Sequence, residues 1–231
     1  MKKEFHFQKG EVLLFNKPLH WTSFQLVNKV RWLIKRKLGL KKIKVGHAGT
    51  LDPLATGLMI VCTGKKTKEI NQYQLGDKEY FATIKLGATT PSYDGEKEEN
   101  YFYSTKHIQE DLIKKVCQTF IGKTLQHPPV FSAIKVRGKK MYENARKGKK
   151  LDVQPRLVHI KEIEVQRIQM PFIDLRIHCS KGTYIRSLAH DIGREMGSGA
   201  WLTKLRRTKI GDNHLNQAIE LKEFEELIKS I

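Results

Sequence analysis

The 231-residue sequence predicts an α+β fold with a mixed sheet. Three observations lead there. Apolar residues recur both at two-residue and at helical spacing along the chain. The two kinds of segment do not follow the strict strand–helix–strand alternation of a doubly wound domain. Hydrophobic residues make up 39% of the chain and aromatics 9%, enough to bury a core and to exclude wholesale disorder. At about 150 residues per domain, the length fits one domain or one domain with a small appendage.

The elements follow in order. Glu11 to Phe15 reads as a short strand, and Lys17-Pro18 as a turn. A helix is expected from Ser23 to Leu38, with Leu26, Val30, Leu33 and Ile34 on one face, Ser23 as its N-cap and Gly39 as its stop. Residues 46–57 are rich in Gly, Thr and Pro and read as a loop; the continuous apolar run Leu58 to Thr63 reads as a buried strand. Glu79 to Gly87 alternates, with Tyr80, Ala82, Ile84 and Leu86 on one side. Pro91 to Tyr101 is an acidic, glycine-containing loop. A helix from Lys106 to Ile121 carries the stripe Ile108, Leu112, Val116 and Phe120. Strands are expected at Phe131–Val136, Leu157–Ile168, Ile173–Cys179 and Leu202–Ile210. Thr183 opens a further helix with Ile185, Leu188, Ile192 and Met196 inward, and Leu221 to Ile228 forms a last short one.

Lysine and arginine outnumber aspartate and glutamate 43 to 24, a formal net charge of +19. That surplus favours a polyanionic partner over a generic metabolic role. It is concentrated. Lys29 to Lys44 holds eight basic residues and no acid, Lys135 to Lys150 another eight against Glu143 alone, and Lys204 to Lys209 four more. Any single run reads as a solvated face; three with so little compensating acid point to nucleic acid. A membrane helix is disfavoured, because the apolar face of Lys135–Lys150 is only Met141, Tyr142 and Ala145, and no window approaches ~18 apolar residues. The lysines near the N-terminus are not followed by the apolar stretch of a signal peptide. Cys62, Cys117 and Cys179 are widely spaced and form no Cys-x-x-Cys pair, so a reducing cytoplasm is the expected compartment. No strong apolar helix face is left over, so a monomer with no obligatory protein partner is expected.

Two segments carry chemistry. In Gly46-His47-Ala48-Gly49-Thr50-Leu51-Asp52-Pro53-Leu54-Ala55-Thr56-Gly57, Pro53 keeps Asp52 out of helical backbone, and its carboxylate projects from a turn in front of a buried strand. A carboxylate fixed in this way suits a nucleophile or acid–base group, though Asp-Pro is also ordinary turn chemistry. In Cys179-Ser180-Lys181-Gly182-Thr183-Tyr184-Ile185-Arg186, a strand ends, the chain turns and a helix begins. Arg186 then lies in the first helical turn, able to pair with a carboxylate near the strand end or to stand as a surface arginine.

These segments, with Phe15-Asn16-Lys17-Pro18, Lys78-Glu79-Tyr80, Phe131-Ser132-Ala133-Ile134-Lys135 and Leu205-Arg206-Arg207, come in the order and spacing of one family. Over roughly residues 10–210 the chain resembles the bacterial tRNA pseudouridine-55 synthases. The resemblance implies a mixed, mostly antiparallel sheet flanked by helices and loops. The implied activity is isomerisation of the T-loop uridine of tRNA to pseudouridine: the N1–C1′ bond breaks, the uracil rotates and C5 bonds to C1′. No cofactor and no metal are implied. Asp52 matches the essential aspartate, acting at C1′, at uracil C6 or as a base at C2′. Arg186 matches the arginine that pairs with it, and Tyr80 the catalytic tyrosine that stacks on the target base and helps remove the C5 proton. His47 matches the histidine that enters the T-loop when the uridine is extruded, a step the chemistry requires. Lys17 and Pro18 support the aspartate loop, and Leu205 lines the uracil pocket.

The same resemblance places an RNA-gripping insertion at about 124–152, carrying Lys135 and Tyr142, with Lys17, Lys181, Tyr184 and Arg206 as further RNA contacts. Many relatives add a C-terminal RNA-binding module of the PUA type; the expectation here is a single catalytic domain without it. The 88–95 loop departs from the family's pattern at Thr90, where relatives carry an aspartate, so no role is carried over to it. Its acids, Asp94, Glu96, Glu98 and Glu99, are expected on a solvated loop rather than around Mg²⁺. Two other classes compete with the isomerase: a non-catalytic RNA-binding protein, and a metal-dependent nuclease, which needs carboxylates clustered beside Asp52.

Overall fold

A computed structural model describes residues 5–131, 135–136, 139–140 and 154–230. In chain order the elements are β1 (Val12–Lys17), α1 (Ser23–Lys37), β2 (Val45–His47), β3 (Ala55–Thr63), a 3₁₀ helix (Gly64–Glu69), α2 (Ile70–Leu75), β4 (Lys78–Leu86), β5 (Ala88–Thr89), β6 (Tyr101–Phe102), α3 (Glu110–Thr119), β7 (Gly122–Gln126), β8 (Lys135–Val136), β9 (Lys139–Lys140), β10 (Arg156–Gln169), β11 (Phe172–Cys179), α4 (Ile185–Glu195), β12 (Ala200–Ile210), β13 (Asn213–His214), a 3₁₀ turn (Leu215–Gln217) and α5 (Leu221–Ser230). The pairs β1–β3, β2–β3, β10–β11 and β7–β10 are antiparallel, and the class is α+β, as expected. Among the described residues, no helix is long and apolar enough to cross a membrane.

The chain divides into two compact units, residues 1–80 with 206–231, and residues 81–205; the division falls within β4 and β12. In the first unit β3 pairs with β1 and β2, and the end of β12 from Arg206 lies beside β3. β3 is buried on both faces: Met59 and Val61 join a core with Phe15, Leu26, Val30, Ile34 and Phe224, while Leu58, Ile60 and Cys62 pack with Ala48 and Ile210. This accounts for its unbroken apolar sequence. α1 packs on β2 and α5.

The cap of α1 corrects the sequence reading. Thr22, not Ser23, is the N-cap, in a reciprocal capping box with Gln25. Ser23 is thereby released for another task. Gly39, at φ +61°, ends the helix as expected, and the Leu40 amide returns to the Lys35 carbonyl at 3.0 Å. The expected loop at 46–57 also contributes to strands at both ends, in β2 and β3.

In the second unit the strand order is β12, β4, β11, β10, β7. β4 and β11 bury alternate residues, the pattern their sequences predict. α3 packs on β10 and α4. It starts at Glu110 rather than Lys106 and buries Ile113, Val116 and Cys117, a face rotated from the expected stripe. Ile108 is buried ahead of the helix, and its amide bonds to the Thr105 carbonyl at 3.0 Å. The helix at α4 is not capped by Thr183, whose hydroxyl donates to the Ser180 carbonyl at 3.0 Å. Its N-cap is Tyr184, clamped by Gln126: the Tyr184 amide donates to Gln126 Oε1 at 2.7 Å, and Gln126 Nε2 donates to the Tyr184 carbonyl at 3.0 Å.

Candidate active site

In the first unit, the Asp52 loop is anchored from three sides. Leu51, immediately before Asp52, is held by Ser23: its amide donates to the Ser23 hydroxyl at 2.9 Å, and that hydroxyl donates to the Leu51 carbonyl at 3.0 Å. The His20 amide donates to the Pro53 carbonyl at 2.8 Å, and the Ala55 amide closes the turn on the Asp52 carbonyl at 3.0 Å. Arg207, only 2% exposed, donates through Nε to the Leu58 carbonyl at 2.8 Å and through Nη2 to the Gly49 carbonyl at 3.1 Å. A buried guanidinium therefore ties the loop to the strand behind it. Gly57, at φ +106°, permits this approach: a Cβ there would overlap the Arg207 carbonyl.

Lys17 is corrected from an RNA contact to a buried support: it is fully buried at the end of β1, and its ammonium donates to the Pro18 and Trp21 carbonyls at 2.8 and 2.6 Å. Burial lowers its pKa to about 8, against the opposing pull of the Asp52 charge. The structure thus places Lys17 and Asp52 within electrostatic reach of each other. His47 is half-buried, and burial pushes its imidazole below the usual value, which favours the neutral ring. Tyr80 lies on the buried side of β4 at 8% exposure. Arg206 is exposed, pointing away from the buried Arg207 next to it.

In the second unit, Arg186 is 4% exposed and not a surface arginine. Its Nη1 donates to the Ser92 carbonyl at 3.2 Å, its Nη2 to the Phe131 carbonyl at 3.0 Å, and its Nε lies 3.5 Å from Asp94 Oδ2. Asp94 is itself 5% exposed, its other oxygen accepting from the Glu96 amide at 3.0 Å. For Asp94 this corrects the expectation of a solvated loop, since it is a carboxylate paired with the buried arginine; Glu96 and Glu98 are exposed, as expected. Tyr93, between Ser92 and Asp94, sits at φ +62° with its ring stacked on His190 at 4.0 Å. Lys181 is exposed, Tyr184 lies against Arg156 at 5.1 Å, and Leu205 is half-buried. Tyr142 lies outside the described residues, and of Lys135 only its place in β8 is described. Among the described residues, no three His, Cys, Asp or Glu side chains are grouped to hold a metal ion.

Sequence reasoning overlooked Ser23 as a loop anchor, Asp94 as a buried partner, and Arg207 as more than part of a basic run. Thr22-x-x-Gln25 is a capping-box pattern that could have freed Ser23. Nothing local marks the other two, whose partners are distant in sequence.

Comparison with known proteins agrees along the length of the chain. Residues 35–185 match the N-terminal domain of the TruB family of pseudouridylate synthases, and residues 186–230 the C-terminal domain of tRNA pseudouridylate synthase B. The tRNA pseudouridine synthase B of Phocaeicola vulgatus is 56% identical over 221 residues, 96% of this chain and 94% of that protein. That of Flavobacterium johnsoniae is 54% identical over 222 residues, 96% and 97% of the two chains. Among solved structures, a chain of a Cbf5–Nop10–Gar1 complex superposes with a TM-score of 0.69 at 31% identity, covering 96% of this chain and 55% of that one. A chain of an H/ACA RNP bound to a substrate RNA containing 2′-deoxyuridine gives 0.67 at 28% identity, covering 95% and 53%. The chain therefore belongs to the TruB family of pseudouridine synthases and is an isomerase.

Proposed function

We propose that this protein isomerises the T-loop uridine at position 55 of tRNA to pseudouridine, with Asp52 as the essential carboxylate. The substrate class rests on relatives named as tRNA pseudouridine synthases at more than half identity. The observation that carries the catalytic assignment is the anchoring of the Asp52 loop by Ser23 and the buried Arg207, with the Lys17 charge within reach. So much fixed backbone around one half-buried carboxylate is preorganisation for chemistry rather than for a turn.

On this reading Asp52 engages the flipped nucleotide as the N1–C1′ bond breaks. The uracil rotates, C5 bonds to C1′, the C5 proton leaves, and N1 takes up a proton, so no redox equivalent is consumed. Tyr80 stacks on the base. Neutral His47 fills the space the extruded nucleotide leaves in the loop, where a charged imidazolium would carry a desolvation penalty. The proposal assigns Arg186 the role of the carboxylate's cationic partner, its own position fixed by Asp94. Lys135, Tyr142, Lys181, Tyr184, Leu205 and Arg206 contact RNA, with the basic segment at about 124–152 closing on the T-arm.

The test is release of tritium from tRNA labelled at uracil C5. Asp52→Asn abolishes release while tRNA affinity stays within a few-fold. Turnover by that variant overturns the assignment.

A further inference from the structure

A second feature of the first unit lies away from the aspartate loop. Lys42 and Lys44, ahead of β2, and Lys65 and Lys68, on the 3₁₀ helix after β3, line one open pocket of about 280 Å³ together with Gln8, Ile43, Gly64 and Thr67. All four lysines are exposed, and among the described residues none has an acidic partner. The nearby acid is already committed, with Glu69 held by Lys66 at 2.8 Å.

The backbone beneath is fixed. The Gly64 amide donates to the Lys44 carbonyl at 2.9 Å, Val45 is in register with Thr63, and the Thr63 hydroxyl donates to the Phe7 carbonyl at 2.9 Å. A Cβ on Gly64 would overlap the Gln8 carbonyl, so the three segments meet as closely as their backbones allow. Four unneutralised cations displayed around one concavity by a rigid scaffold repel one another unless an anion relieves them.

We propose that this pocket is an RNA-backbone site, taking phosphodiester groups of the tRNA at a place remote from the flipped nucleotide. It lies at the Val45–Thr63 end of the β2–β3 pair, whereas the aspartate loop enters β3 at the other end. Gly57 and Thr63 are six residues apart on that strand, roughly 20 Å at ~3.3 Å per residue. An RNA engaged at both points lies across the face of this unit. The pocket reads charge and not sequence, because ammonium groups contact phosphates without distinguishing bases. A bilayer is the poorer match: the surface is concave and its apolar member, Ile43, is 7% exposed. The inference rests on the proposed tRNA substrate.

The experiment compares the full chain, a K42Q/K44Q/K65Q/K68Q variant, and a charge-matched control, K106Q/K115Q/K123Q/K222Q. Thermal unfolding first confirms that all three are folded. Affinity for an unmodified tRNA transcript is then measured across a salt series. Each phosphate contact contributes about 0.7–0.9 to the slope of log K against log salt. The pocket variant therefore shows a slope shallower by about 2–3 and binds tenfold or more weakly at low salt, while the control stays near the full chain. Equal slopes and affinities for the pocket variant and its control overturn the proposal. So does loss of binding to anionic phosphatidylglycerol vesicles with tRNA binding retained. Pseudouridine formation by the unmodified chain is assayed alongside. Its absence counts against the proposed function, whereas the slopes judge the pocket alone.

Discussion

Replacing Arg207 with methionine tests whether the Asp52 loop is held by that guanidinium. The side chain is 2% exposed and makes two good hydrogen bonds to carbonyls, at 2.8 Å to Leu58 and 3.1 Å to Gly49, with Thr50 more distant at 3.5 Å. Hydrogen bonds to a charged donor contribute about 1.5–3 kcal/mol each. Methionine matches the bulk but leaves the Leu58 carbonyl buried without this donor, while the Gly49 carbonyl can turn toward solvent. Removing a buried charge offsets part of the loss. The expected destabilisation is about 3 kcal/mol, or roughly 6–12 °C in melting temperature for a chain of this size. Urea unfolding followed by circular dichroism measures it, with an unchanged m-value showing that only stability has moved. Arg207→Lys recovers about one hydrogen bond, since an ammonium cannot reproduce the planar fork. A methionine variant within about 0.5 kcal/mol of the unmodified chain refutes the clamp.

Three further outcomes follow from the same geometry. Lys17 has its pKa lowered from 10.5 to about 8, so between those values the unfolded chain binds more protons than the folded one; stability from this residue rises with pH across the window and is flat below it. The stability difference between the unmodified chain and Lys17→Met, followed from pH 7 to 10.5, should grow above pH 8, and a level difference contradicts the burial argument. Tyr93 holds a left-handed backbone between the two residues that grip Arg186, and its ring stacks on His190. Tyr93→Phe should therefore keep stability and turnover near normal while Tyr93→Ala loses about 2 kcal/mol and most turnover; equal behaviour of the two variants rules the stack out as the cause. Gly57→Ala drives a methyl group into the Arg207 backbone at a positive φ, and the expected result is insoluble or unfolded protein; a soluble variant of normal melting temperature excludes the close approach.

Strands buried on alternate faces were legible because their pattern is local: β4 and β11 appear where Tyr80 to Leu86 and Ile173 to Cys179 alternate. β7 was not, since its burial is intermediate and exposed except at Gln126, and Leu125 faces outward. Ser23 and Thr22 are both good caps, and only the reach of Gln25 decides between them. The site divides in the same way. Asp52 stood out through its motif, whereas the burial of Asp94 depends on Arg186, and Ser92, which shares that arginine, is 94 residues before it. Arg207 finds the Leu58 carbonyl 149 residues earlier, and a backbone carbonyl leaves no trace in side-chain pattern.

The central claim is that Asp52 converts one uridine of tRNA. Its most direct test is to map pseudouridine at nucleotide resolution in an unmodified tRNA transcript after incubation with the protein or its Asp52→Asn variant. The account predicts a single modified position, in the T-loop, formed by the unmodified chain and missing with the variant. Pseudouridine at other positions only, or an equal yield from both proteins, contradicts it.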